Sequence, residues 1–111
     1  MKNLLNLLLE FRKVRDWEKF HTPRNLSISL SIEASEILEK FQWKRGEEKL
    51  TKEEVGEISE ELADVFIYTM LLSHSLGIDL LKVTSRKIKE NDKKYPINKV
   101  KGIATKYTKL K

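Results

Sequence analysis

The chain has no cysteine and, in 111 residues, only two prolines, four glycines and two histidines. Lack of thiols rules out disulfides and thiolate metal sites, and it fits a reducing cytoplasm, the expected compartment. Scarce Pro and Gly leave few turn positions, so the chain is read as a small number of helices. The N-terminal apolar stretch from Leu4 to Leu9 is interrupted by Asn6 and runs into Glu10, Arg12 and Lys13. It is too short and too soon charged for a secretory signal or a membrane span, and no membrane partner is expected.

What is abundant is charge, and it is unevenly spread. The formal net charge is +5. From Lys82 to Lys111 there are 11 basic residues against 2 acids, which leaves a net charge of −4 on the residues before them. An acidic body with a basic end suits a polyanionic ligand held through metal on one side and by cations on the other.

Local signals divide the chain into four helices. The first is expected from Lys2 to about Lys19. Thr22 offers an N-cap with Pro23 at the first helical position, opening a second helix that continues to about Lys44. Gly46 and the charged residues up to Leu50 form a loop. Thr51 and Glu54 have the spacing of a capping box and open a third helix, which ends where Gly77 occupies the position after the C-cap. Asp79 caps a fourth helix, and Pro96 stops it. Residues 1–96 are thus expected to be a single all-α domain, a four-helix bundle with short connections. Residues 97–111 form a basic C-terminal extension, read as a short extension or an arm that wraps a partner.

Two carboxylate pairs stand out: Glu33 with Glu36, and Glu61 with Asp64. Each is spaced i,i+3, a spacing that also occurs at Glu36/Glu39, Glu54/Glu57 and Glu57/Glu60, so position on the helix must separate them. With Leu26 at zero and 100° per residue, Leu30 falls at about 40°, Ile37 at about 20° and Glu33 at about −20°. Glu33 therefore lies inside the apolar stripe. Glu36 borders it at about −80°, whereas Glu39 at about −140° points to solvent. On the third helix Glu57, Glu61, Asp64 and Tyr68 share a stripe roughly opposite Val55, Leu62 and Phe66. From Val65 to Leu72 that helix is apolar almost all round, as expected of a helix buried on every side.

Four inward acids in a low-dielectric pocket repel one another and stay ionised only if cations neutralise them. No Lys or Arg lies between Glu54 and Ser75 to do so. Their convergence points to a divalent-metal site. An all-oxygen donor set without Cys or nearby His favours Mg²⁺, or Mn²⁺, over Zn²⁺.

Aromatic and polar companions flank the acids. Trp17, His21 and Trp43 lie at the two ends of the second helix, and Tyr68 one turn beyond Asp64. Planar rings at the mouth of a metal site suit stacking on a nucleobase. Lys87, Asn91 and Lys94 recur on one face of the fourth helix, next to Tyr95, with donors suited to phosphate oxygens. Ile28 and Ile32 fall outside the stripe that contains Leu26 and so ask for a second partner. Subunits of a homo-oligomer, a tetramer more than a dimer, would complete each other's core.

Three blocks resemble the MazG-like nucleoside triphosphate pyrophosphohydrolases, and among these the dCTP pyrophosphatase branch. They are Arg15-Asp16-Trp17-Glu18-Lys19-Phe20-His21-Thr22-Pro23-Arg24-Asn25-Leu26; Glu33-Ala34-Ser35-Glu36 continuing to Phe41-Gln42-Trp43-Lys44; and Glu60-Glu61-Leu62-Ala63-Asp64-Val65-Phe66-Ile67-Tyr68. A weaker fourth block is Asn91-Asp92-Lys93-Lys94-Tyr95-Pro96. The resemblance implies an all-α, oligomeric fold that uses Mg²⁺ to hydrolyse a nucleoside triphosphate to monophosphate and pyrophosphate in nucleotide-pool control, with dCTP-like or modified pyrimidine substrates. By that matching Glu33, Glu36, Glu61 and Asp64 hold metal. Trp17, His21, Trp43 and Tyr68 frame the base, and Lys87, Asn91, Lys94 and Tyr95 meet phosphates. Glu36 is the expected general base for the attacking water. Ser35 stands where related sequences often have Gly and adds volume at an expected helix contact.

The lysine-rich end supports a second reading, a basic nucleic-acid-binding helical oligomer without catalysis. An inward acid cluster repels a phosphate backbone, so nucleic acid is not the expected partner. A third reading is a purely structural helical oligomer.

Overall fold

The structure is a computed structural model that describes residues 2–44, 46 and 49–102. It is all-helical, with no strand among the described residues. Five helices follow one another: α1 (Lys2–Lys13), α2 (Pro23–Glu39), α3 (Lys52–Ser75), α4 (Leu80–Lys94) and α5 (Ile97–Val100). One turn of 3₁₀ helix, Glu18–Phe20, precedes α2. No single described helix is long and apolar enough to cross a membrane. Backbone contacts divide the chain into two compact units, residues 1–77 and 78–111.

The caps form as their residue types require. Thr22 Oγ1 accepts from the Asn25 N–H at 3.2 Å, and Pro23 begins α2. At the start of α3, Thr51 Oγ1 accepts from the Glu54 N–H at 3.1 Å, while a Glu54 carboxylate oxygen accepts from the Thr51 N–H at 2.9 Å. Two backbone donors at the helix start are thereby satisfied reciprocally. Gly77, at φ +67°, ends α3 with its N–H donated to the His74 carbonyl at 3.2 Å. Asp79 Oδ1 accepts from the Lys82 N–H at 3.2 Å to open α4.

Two helices are shorter than expected. The first stops at Lys13 instead of continuing to Lys19, because the chain makes a Schellman turn there. Trp17 donates its N–H to the Arg12 carbonyl at 3.0 Å, and Asp16 donates to the Lys13 carbonyl at 3.0 Å. Asp16 takes the left-handed conformation (φ +53°) that is usually left to glycine. The Trp17 ring meets Phe11 edge-on, with centroids 5.8 Å apart, as the apolar contact of this motif. The second helix ends at Glu39 instead of Lys44. Beyond it Lys40, Phe41 and Gln42 donate to carbonyls three residues back, tightening the chain towards Trp43 at φ +70°.

In the first unit α3 contacts both α1 and α2, with the more extensive contact to α2. Leu26, Met70 and Leu71 are the buried apolar side chains. The stretch from Val65 onward is less enclosed than its composition suggests, since Phe66 is exposed. Ile28 and Ile32 on α2, and Val55 and Leu62 on α3, are also exposed. The second unit contains α4 and α5. The arm foreseen at the C-terminus lies, over 103–111, outside the described residues, as do residues 45, 47 and 48 of the loop before α3.

Candidate metal centre

The pairing of α2 with α3 sets the register of the acids. Lys40 Nζ lies 3.5 Å from a Glu57 carboxylate oxygen, and Lys44 pairs with Glu54. Higher numbers on α2 meet lower numbers on α3, so the helices run antiparallel. The same register places Glu33 opposite Glu61 and Asp64, and one carboxylate oxygen from each of these three lies within 4.8 Å of the others. Glu36 is close enough to act on the carboxyls of both Glu33 and Glu61. The four acids singled out in the sequence are therefore together.

Glu57 has a different role. It shares the stripe of Glu61 and Asp64, but Lys40 neutralises it from across the helix pair. One end of the α2–α3 seam is thus closed by opposite charges, while like charges meet further along. Lys44, with the Thr51 N–H assisting, draws the Glu54 carboxyl down to about 2.

The acids respond as crowded carboxylates should. Burial pushes the Glu33 carboxyl up, contact with Glu61 and the charges of Asp64 and Glu61 add to the rise, and contact with Glu36 opposes it. Glu61 is pushed up first by its contact with Glu36 and then by burial, with the charges of Glu36 and Asp64 adding. One oxygen of Glu33 (Oε2) and one of Glu61 (Oε2) are buried without a hydrogen-bond partner. A buried acceptor left unpaired is costly. Two such oxygens, on members of a group of hard anionic donors, fit a divalent cation. Ser35, between the α2 acids, is exposed and turns its hydroxyl back to the Ile32 carbonyl at 2.7 Å, so it does not enter the helix contact.

The other residues named from the sequence are spread more widely. Trp17 is exposed, held by Phe11 and by the Arg15 guanidinium 5.9 Å from its ring centroid. His21 is half-buried, its Nδ1 lacks a partner, and burial followed by the Arg12 charge lowers its pKa. Trp43 is 92% exposed on its left-handed turn. Tyr68 is half-buried on α3. Lys87, Asn91 and Lys94 lie on α4 in the second unit, with Tyr95 as its C-cap. Lys87 Nζ is 3.8 Å from a Glu90 carboxylate oxygen. Sequence reasoning missed Arg12, a buried cation beside His21, and the Lys40 and Lys44 pairs. The only available signal for the two lysines was their i,i+4 spacing just after α2.

Comparison with known proteins follows the same lines. The model of the MazG-like family matches residues 28–110. The dCTP pyrophosphatase 1 of Rattus norvegicus is 38% identical over 114 residues, spanning 99% of this chain and 67% of the relative. That of Homo sapiens is 36% identical over the same span. Among solved structures, a pyrophosphatase from Archaeoglobus fulgidus matches with a TM-score of 0.76 at 44% identity, over 86% of this chain and 92% of that one.

Proposed function

This chain belongs to the MazG-like family, and from that premise we propose that it hydrolyses a (deoxy)nucleoside triphosphate to the monophosphate and pyrophosphate with Mg²⁺, or with Mn²⁺ in its place. Membership and relatives make it a nucleotide pyrophosphohydrolase. Preference for dCTP-like triphosphates is carried over from the names of the relatives, and modified pyrimidines are included on the strength of the resemblance in sequence.

One observation carries the reading. Glu33 and Glu61 each keep a buried, unpaired carboxylate oxygen, within a cluster completed by Asp64. Glu33, Glu36, Glu61 and Asp64 would hold the metal, which supplies neutralising charge, a more acidic bound water and stabilisation of charge on the leaving pyrophosphate. Glu36 lies outside the tight trio yet acts on the carboxyls of two of its members, and it is assigned the proton of the attacking water. The exposed faces of Trp17 and Trp43, with His21 and Tyr68, are assigned to the base. Lys87, Asn91, Lys94 and Tyr95 are assigned to the phosphates.

Exposed Ile28, Ile32, Val55, Leu62 and Phe66 support assembly into a homo-oligomer, with a tetramer favoured. The test is a panel of nucleoside triphosphates with Mg²⁺, in which monophosphate, pyrophosphate and orthophosphate are measured separately. Pyrophosphate release that disappears in Glu33→Gln and Asp64→Asn is the expected result. Diphosphate and orthophosphate as products would sink the assignment.

A further inference from the structure

Trp43 is held in a conformation that its bulk opposes. Its φ is +70°, in the left-handed region where a Cβ is crowded by the backbone. The ring is almost wholly exposed, so burial of the indole does not stabilise the turn. A bulky residue keeps such a conformation only where neighbouring structure over-determines it. Two sets of bonds do so here. The N–H groups of Lys40, Phe41 and Gln42 reach back to the carbonyls of Ile37, Leu38 and Glu39, and that of Lys44 reaches the Phe41 carbonyl at 3.1 Å, which ties the turn to α2. The second set runs to α3. Lys44, the residue after Trp43, pairs its ammonium with Oε2 of Glu54, and both side chains are half-buried.

Glu54 divides its two oxygens between two duties. Oε1 accepts from the Thr51 N–H at 2.9 Å and closes the cap of α3, while Oε2 holds Lys44. One carboxylate thus joins the start of α3 to the residue behind Trp43. Lys44, and after it the Thr51 N–H, draw that carboxyl down to about 2, so it is ionised throughout the neutral range. At the usual helical rise Glu54 stands about 10 Å along α3 from Glu61, which keeps it outside the metal centre.

We propose that Glu54 is a positioning residue for the nucleotide base: through Lys44 it fixes the turn that carries Trp43, and so sets affinity for the base without touching substrate. The inference rests on the assignment of Trp43 to the base made above. It adds a carboxylate that meets neither substrate nor metal, yet governs KM while the inward acids govern kcat.

Glu54→Gln separates the two duties, because a glutamine oxygen still accepts from the Thr51 N–H whereas its amide cannot hold an ammonium. Lys44→Met removes the same pair from the other side and leaves the cap untouched. The assay uses the full chain with Mg²⁺ and the triphosphate turned over fastest in the panel above. Each variant is expected to raise KM about three- to fivefold with kcat within about twofold of wild type, and the double variant no more than either alone. On a Trp43→Ala background Glu54→Gln should have no further effect on KM. A second measurement needs no nucleotide. The chain has two tryptophans, so in Trp17→Phe the remaining indole is Trp43, and adding Glu54→Gln should lower its fluorescence anisotropy.

A KM equal to that of wild type in both single variants overturns the proposal. So does a rise that persists on the Trp43→Ala background, because the pair would then act by some route other than the ring. A wild type that releases pyrophosphate from no nucleoside triphosphate fails the function proposed above. The anisotropy then decides the role of Glu54 by itself, a drop upholding its hold on Trp43 and an unchanged value overturning it.

Discussion

Glu33 on α2 and Glu61 on α3 approach each other across the helix seam with carboxylate oxygens within 4.8 Å, and each retains a buried oxygen that nothing pairs. Both carboxyls are raised above their ordinary value of 4.5. In the metal-free protein the folded state therefore holds protons that the unfolded chain has released. The stabilisation is fully present below the unfolded value and is lost as pH rises through the raised folded values. Thermal unfolding in a chelator should show a midpoint at about pH 5 above that at about pH 7, with Mg²⁺ restoring the loss at the higher pH. A flat metal-free profile would mean that the acids do not repel.

Glu33→Gln should separate stability from activity. Removal of one of several like charges raises the metal-free unfolding midpoint, and the same change abolishes both the Mg²⁺-induced gain in midpoint and pyrophosphate release. Scanning calorimetry with and without Mg²⁺ reads the first two effects. A variant that is less stable without metal would argue for a structural hydrogen bond instead.

Glycine positions give a contrast of sign. Gly56 sits inside α3, where an added Cβ meets no atom within 4 Å, so Gly56→Ala should stabilise by about 0.5 to 1 kcal/mol through helix propensity. Gly77 has equally open surroundings but a φ of +67°, so Gly77→Ala should destabilise by about 1 kcal/mol through backbone strain alone. Denaturant unfolding of the two variants side by side checks both.

Trp43→Ala should leave the unfolding midpoint nearly unchanged, because the side chain is 92% exposed. If the ring stacks on the base, the same substitution weakens nucleotide binding by about 1 to 3 kcal/mol, measurable as a raised KM or a lost fluorescence change. Unaltered binding would remove Trp43 from the site.

Much of this was legible because it is local. Thr22, Thr51 with Glu54, Gly77 and Asp79 mark helix ends through bonds that span three or four residues, and each forms as the residue types require. The inward position of Glu33 follows from the period of Leu26, Leu30 and Ile37, and the seam with α3 collects all four acids. The break after Lys13 was not legible, since its left-handed residue is Asp16 and its apolar contact, Trp17 on Phe11, bridges a turn that helical periodicity runs straight through. The pairs of Lys40 with Glu57 and Lys44 with Glu54 depend on the register of two antiparallel helices, which no single segment encodes. The burial of Arg12 was not legible either, because burial of a long side chain is decided by what packs over it.

The salt bridges between α2 and α3 give that helix pair a polarity of its own. Lys40 and Lys44 fasten one end with opposite charges supplied by the chain itself. Further along, at Glu33 and Glu61, like charges face each other across the seam, and each keeps a buried oxygen without a hydrogen-bond partner. Such a hairpin would loosen first from its acidic side, and a divalent cation bound there would be what draws its jaws together.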